Sequence, residues 1–382
     1  MSPGPSSGVV ALLRDLVRIS SVGADEGQVT RHCALMLTAV NAKTEFVNWA
    51  PANREQLIAR VDGPGPPLTL AGHVDTVPAD PAMWSADPWA GECDGNRMVG
   101  RGTSDMKSGI AAMVAAVVGH LRKAHDCRGI QVILTAAEET GCQGAVRIPA
   151  SALRPGGPLL VAEPTANALV PAHKGALWLR LAAKGLAAHG SAPQLGDNAV
   201  VRLARAATAL HDAASWPCDE RFGSVTVNVG QLRGGIQPNV VPDFAELLLD
   251  VRTVPGIDAV QLRDLVQEMV GAEISLSDVI DLPLVDTDLD DPFVALVREA
   301  LSANALPDAP ATPARYFTDA SVLAGLLGNT VAGVAAQAPT VILGPGEPDQ
   351  CHVVDEWCRL DRVEEAVEIY SSILSAWCSG KP

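Results

Sequence analysis

Four short apolar runs, each leading to an acid or an imidazole, constrain this chain more than anything else in it. LTLAGHV (68–74) carries His73 and is followed by Asp75. QVILTAAEETG (131–141) carries Glu138 and Glu139, PLLVAEPT (158–165) carries Glu163, and PTVILGPGE (339–347) leads through a turn to His352. Runs this short and apolar, closed by Asp, Gly or Pro, read as buried strands. Apolar residues at helical spacing fill the intervals at 9–20, 27–40, 105–125 and 362–378. Asp105 stands at the N-cap of the third of these, after the turn GRGTSD, and basic residues occupy that helix's last turn. Strands alternating with helices predict an α/β layer with a mostly parallel sheet.

Between 176 and 284 the texture changes. WLRLAAKG, VTVNVGQLRGG and FAELLLDVRTVP alternate apolar with polar residues, and NAVVRLARAATALHDAA and DAVQLRDLVQEMVGA carry helical spacing. Alternation predicts a sheet with one wet face, and the order predicts β-α-β-β-α-β, a ferredoxin-like arrangement. The expected organisation is a larger α/β domain in two pieces, 1–175 and 285–382, with a small α+β domain inserted at 176–284.

Charge and composition exclude several roles. Lys and Arg number 28 against 44 Asp and Glu, a net charge of −16. Such a field repels phosphate backbones and anionic lipid, so neither nucleic acid nor a membrane surface is an expected partner. The longest apolar run, near Ile110–Gly119, is half of the ~20 residues a spanning helix needs. No signal peptide is visible, and the expected compartment is the cytoplasm. The eight cysteines are scattered without a C-x-x-C pair, which excludes a zinc ribbon and predicts reduced, mostly buried thiols.

Ligands of open α/β sheets bind beyond the carboxyl ends of the strands. His73, Asp75, Glu138, Glu139, Glu163 and His352 therefore gather at one sheet edge, joined by Asp105. So many buried acids repel one another unless a cation lies among them. Two imidazoles with carboxylates suit Zn²⁺ or Co²⁺ better than Ca²⁺ or Mg²⁺, which prefer all-oxygen shells. A carboxylate shared between two ions would make a two-metal hydrolase. Glu138 and Glu139 are adjacent, so one can ligate while the other faces the attacking water as general base.

The motifs GHVDTVP, GRGTSDMKSG, TAAEETG, AEPT and GPGEPDQCHVVDEW lie in this order along nearly the whole chain. Together they resemble the zinc-dependent acetylornithine deacetylase, succinyl-diaminopimelate desuccinylase and carboxypeptidase G family. The resemblance implies two Zn²⁺ per chain, with Co²⁺ able to substitute. His73 and Glu163 would bind one, Glu139 and His352 the other, and Asp105 both. It implies Glu138 as general base acting on a metal-activated water, and Asp75 as the hydrogen-bond acceptor that fixes the His73 tautomer. It implies a cis peptide after the bridging acid, here Asp105–Met106.

In the inserted segment, KGLAAHGSAP resembles a lid whose histidine reaches a partner subunit's active site, which nominates His189. GGIQPNVVPDFAELLLDVR resembles a stretch that recognises a substrate carboxylate, which nominates Asn239 and Arg252. A homodimer through this lid is implied as well. Arg252 serves equally as an ion-pair partner of Glu246 or Asp250.

Ser104 and Ser191 sit in no G-x-S-x-G elbow and receive no catalytic role. His32, His120, His125, His173 and His211 read as structural, and Cys351 as a buried thiol. The implied activity is deacylation of an N-acyl amino acid. A zinc carboxypeptidase or dipeptidase acting on a short peptide is the alternative within the family. A catalytically silent binding relative is the alternative outside enzymes, and it would usually have lost a ligand or the base.

Overall fold

The structure is a computed structural model that describes residues 8–49, 54–123, 127–307, 312–331 and 334–380. Contacts divide it into two compact units, one of Met1–Ala172, Val285–Thr312 and Thr318–Pro382, the other of His173–Leu284 and Pro313–Phe317.

The first unit is built on a six-stranded sheet in the order Lys43–Trp49, Arg54–Val61, Ile130–Thr135, Leu68–His73, Leu159–Val161 and Thr340–Ile342. The last four strands run parallel, and these are the four apolar runs of the sequence. Two antiparallel strands not evident from the sequence, Lys43–Trp49 and Arg54–Val61, extend the sheet at one edge. Every residue of Leu68–His73, Ile130–Thr135 and Leu159–Val161 is buried.

Alternate residues serve opposite faces. Leu68, Leu70, Val132 and Leu134 join a core with the helices Gly8–Val17, Glu26–Thr38, Ser108–Lys123, Pro292–Ala303 and Leu360–Cys378. Ala71, Ile133, Leu159 and Val161 are buried outside that cluster, and the helix Ala320–Leu327 packs on the Leu159–Val161 strand. Each such Leu or Ile stabilises the unit by roughly 1.5–3 kcal/mol relative to exposure. Gly109 lets the Ser108–Lys123 helix start against a strand end, because a Cβ there would collide with the Ala162 carbonyl oxygen. Among the described residues no helix is long and apolar enough to cross a membrane.

The second unit has a four-stranded antiparallel sheet in the order Thr226–Gly234, Phe244–Thr253, Gly175–Lys184 and Ile274–Leu282. With the helices Ala199–His211 and Ala259–Val270 this is the expected β-α-β-β-α-β order. Leu177, Leu179 and Leu181 are buried while Arg180 is exposed, so the alternation marks one covered face. Asn198 and Asp258 cap the two helices, Asp258 through a full capping box with Gln261.

Two expectations need correction. Asp105 is not an N-cap: the helix begins at Ser108, and Asp105 lies in the preceding turn with φ −117° and ψ 93°. Its backbone N–H is held by the Glu356 carboxylate at 3.0 Å, and its side chain turns to two histidines instead of the helix end. Nor are the cysteines all reduced and mostly buried: only Cys33, Cys142 and Cys358 are fully buried among the described residues. Cys127 and Cys378 are disulfide-bonded across 251 residues, and Cys93 and Cys218 are exposed. The pairing arises because the Leu360–Cys378 helix packs along Ser108–Lys123, bringing its last residue to the loop before Ile130–Thr135.

Candidate active site

Parallel strands that end at one edge deliver the acids and imidazoles together. Leu68–His73 ends in His73, with Asp75 two residues on. Ile130–Thr135 ends just before Ala137, whose φ of 58° turns the chain so that Glu138 and Glu139 follow at the sheet edge. A non-glycine residue in the left-handed region costs roughly 1–2 kcal/mol. Leu159–Val161 supplies Glu163, and the loop after Thr340–Ile342 supplies His352, itself at φ 64°.

Asp105 stands at the centre. Its Oδ1 lies 3.0 Å from His73 Nε2, and its Oδ2 lies 3.4 Å from His352 Nε2. Glu163 Oε2 flanks the first histidine at 3.7 Å, and Glu139 Oε2 flanks the second at 2.9 Å. One carboxylate thus faces two separate imidazole–carboxylate pairs. The Asp105–Met106 peptide is cis, as the resemblance implied.

Asp75 departs in detail from its expected role. His73 Nδ1 lies 3.0 Å from the backbone carbonyl oxygen of Asp75 and 3.6 Å from its carboxylate. A carbonyl and a carboxylate only accept, so Nδ1 donates to the Asp75 carbonyl and Nε2 donates to Asp105. The Asp75 carboxylate instead accepts the backbone N–H groups of Glu138 and Glu139 at 3.2 and 3.1 Å. It fixes the acid pair as well as backing the histidine.

Burial and charge set the protonation states. Burial pushes the Glu138 carboxyl well above its ordinary value; His73 opposes this, and nearby Glu163, Asp319 and Glu139 reinforce it. Burial likewise raises Glu163 to about 7 against the pull of His73. For His73 burial works downward, but the Glu163 charge and hydrogen bonds to Asp105, Asp75 and Glu163 together raise it. Hydrogen bonds to Asp105 and Glu139 lift His352 to about 10. Asp105 is largely buried, which alone would raise it, yet its two histidines hold it below the usual carboxylate range.

The residues nominated in the second unit are placed as follows. His189 is exposed, with Nδ1 2.7 Å from the Ser191 hydroxyl. Its loop is tied to that of Asn239, since Gly190 N–H donates to the Asn239 carbonyl at 2.7 Å. Arg252 pairs with Asp250 at 2.9 Å and lies over the Phe317 ring at 4.8 Å, while Glu246 faces Arg180. The Arg252 Nη1 remains buried without a hydrogen-bond partner among the described residues. Of the remaining histidines, His125 lies outside the described residues. Ser104 is structural, donating to the Trp357 carbonyl at 2.8 Å.

Two residues escaped the sequence reading. Glu356 is fully buried and accepts the N–H groups of Gly102, Ser104 and Asp105, with Arg101 at 2.7 Å, so it grips the turn that presents Asp105. Its signal was present, since it is the middle residue of the DEW triplet that ends the last motif. Asp319 is buried behind the Glu138 loop, accepts the Thr135 hydroxyl, and is pushed up to about 6 by burial. No motif marks it.

Comparison with known proteins identifies the family. The model of peptidase family M20/M25/M40 matches residues 69–376. An acetylornithine deacetylase of Vibrio cholerae is 30% identical over 378 residues, 94% of this chain and 95% of the relative. A probable succinyl-diaminopimelate desuccinylase of Staphylococcus epidermidis is 28% identical over 403 residues, 96% of this chain and 97% of its own. Among solved structures, the Bacillus subtilis YXEP protein, described as a dinuclear metal binding peptidase, shares the fold. Its TM-score is 0.70 at 15% identity, over 97% of this chain and 98% of that one. The chain therefore belongs to peptidase family M20/M25/M40 and is a hydrolase of amide bonds.

Proposed function

We propose that this chain removes the acyl group from an N-acyl amino acid, with two divalent cations, zinc or cobalt, held in the acidic cluster. The observation that carries this reading is the Asp105 carboxylate, whose two oxygens face two separate imidazole–carboxylate pairs. His73 and Glu163 would hold one ion, His352 and Glu139 the other, and Asp105 both.

The residues fit such a pair. Five carboxylates, from Asp75, Asp105, Glu138, Glu139 and Glu163, meet two imidazoles, and Glu139 Oε1 is buried without a hydrogen-bond partner among the described residues. An excess of buried anion with an orphaned acceptor is relieved by a cation. Nitrogen and oxygen donors together favour zinc or cobalt over calcium or magnesium. When bound, such a pair supplies Lewis acidity, lowering the pKa of a water from 15.7 towards about 7 and polarising the scissile carbonyl.

The chain's own groups do the rest. Glu138 takes the proton of the attacking water and returns it to the leaving amine. Its raised carboxyl suits a relay that must hold the proton between the two steps. Asp75 keeps Glu138 aimed by holding its backbone N–H. From the second unit, Asn239 and Arg252 recognise the substrate carboxylate, and the partner subunit's His189 donates to the oxyanion in a homodimer. The unpartnered Nη1 of Arg252 and the exposure of His189 support these roles. The names of both relatives, a deacetylase and a desuccinylase, support an acyl amino acid as substrate.

The test is a deacylation assay with added zinc or cobalt over N-acetylornithine, N-succinyl-diaminopimelate and a peptide ending in glutamate. Turnover of an acyl amino acid is expected, and it should vanish in Glu138→Ala while about two ions per chain stay bound. Turnover of the peptide alone would make the protein a carboxypeptidase. Silence without bound metal would overturn the reading.

A further inference from the structure

A second cluster of metal-ligating atoms lies at the far end of the Ser108–Lys123 helix. His120 sits about 18 Å along that helix from Ser108, at a rise of 1.5 Å per residue, so the cluster shares nothing with the acids around Asp105. One ligand atom from each of His120, Cys127 and Cys378 falls within 4.8 Å of the others. His120 is nine-tenths buried, and its Nε2 has no hydrogen-bond partner among the described residues. Such an orphaned buried nitrogen carries a desolvation penalty of roughly 1–3 kcal/mol. The disulfide between the two cysteines leaves that nitrogen unanswered.

We propose that His120, Cys127 and Cys378 form a separate thiophilic metal site, which binds Zn²⁺ or a cation of similar softness when the two cysteines are reduced. Two thiolates and one imidazole make a donor set that zinc accepts, whereas calcium and magnesium do not. Cys127 and Cys378 are half-buried and line an open groove with Asp62, Gly63, Gly65 and Arg128, so a water can complete a fourth position.

Occupation requires the dithiol. A dithiol reductant donates two electrons and two protons to the Cys127–Cys378 bond, becoming a disulfide itself. The cation then displaces both thiol protons to solvent as it binds. The cation takes up the Nε2 lone pair that the disulfide ignores.

Cobalt tests this directly, because thiolate ligation gives a near-ultraviolet charge-transfer band that imidazole and carboxylate ligands do not. The full chain is reduced anaerobically with a phosphine, freed of reductant and titrated with Co²⁺. The expected result is a thiolate band with about one equivalent per chain beyond the pair at the acidic cluster. Cys378→Ser, Cys127→Ser and His120→Ala should each lose that equivalent, and the two serine variants should weaken or lose the band, with far-ultraviolet circular dichroism unchanged. Cys351→Ser should keep both.

Absence of the band in the reduced protein would overturn the site, as would its loss in Cys351→Ser alone. Thiol counting that finds the pair still bonded after reduction would make it a permanent clasp. Failure of the acidic cluster would look different: the band would persist while the other equivalents vanished.

Discussion

The two sheets of this protein obey opposite rules. In the first unit the parallel strands are buried on both faces, so their residues carry no chemistry until the chain leaves the sheet. His73, Glu138, Glu139 and Glu163 appear at or just past strand ends, and His352 comes from the loop that follows Thr340–Ile342. In the second unit the antiparallel strands bury alternate residues, and polar side chains such as Arg180 and Arg252 stand on the strands themselves. A doubly covered sheet concentrates function at its rim; a singly covered one spreads it over a face.

The largest test of that contrast is catalytic. Glu138→Gln at the rim should lower kcat by about 10²–10⁴-fold with KM and bound metal little changed. His189→Ala in the second unit should cost at most about 10²–10³-fold. Steady-state kinetics with metal analysis decides, and an equal or greater loss at His189 would break the comparison.

Stability should separate the sheets next. Leu70→Ala, in a fully buried strand, should cost about 2–5 kcal/mol by chemical denaturation. Leu248→Ala, at a half-buried strand position of the second unit, should cost about 1 kcal/mol. Similar costs would show that the second sheet is covered on both sides in solution.

A pH effect follows from Glu26, which burial pushes from 4.5 to about 8 despite Arg54 at 3.5 Å. Between those values the folded chain holds a proton that the unfolded chain releases. Stability contributed by this group therefore falls as pH rises from about 4.5 to 8 and is flat outside that window. Glu26→Gln should remove the slope and raise stability at pH 8 by about 1–2 kcal/mol. A wild-type profile that rises across the window and is matched by the variant would refute it.

The smallest expected effect lies at Ala137. Because its φ is already left-handed, Ala137→Gly trades relief of strain against a more flexible unfolded chain and should stay within about 0.5 kcal/mol. Ala116→Gly, inside the Ser108–Lys123 helix, should cost about 1 kcal/mol or more. Thermal unfolding of the two variants side by side would show whether the rim geometry is as strained as its dihedral suggests.

The acids and His73 at the rim were legible because they sit within a few residues of an apolar run, where pattern and residue type coincide. What was not legible is held over long separations. Glu356 reaches back 251 residues to the Asp105 N–H, and Asp319 reaches 184 to the Thr135 hydroxyl. Asp105 itself resembled an N-cap because an acid before an apolar helix usually is one; Glu356 at its N–H and two histidines at its carboxylate take it out of that role. The strand pair Lys43–Trp49 and Arg54–Val61 has its first member half to fully exposed, so it lacks the apolar run that marked the others. The Cys127–Cys378 bond joins residues that no local spacing connects.

The grip of Glu356 on the turn at 101–105 also has a consequence for timing. A ribosome makes the acids at 75, 105, 138, 139 and 163 early, then the whole second unit, and only afterwards His352 and Glu356. Until that segment emerges, the Asp105 turn has no clasp and the second histidine is missing. The growing chain thus cannot bring the second histidine to the acidic cluster until residue 352 has been made.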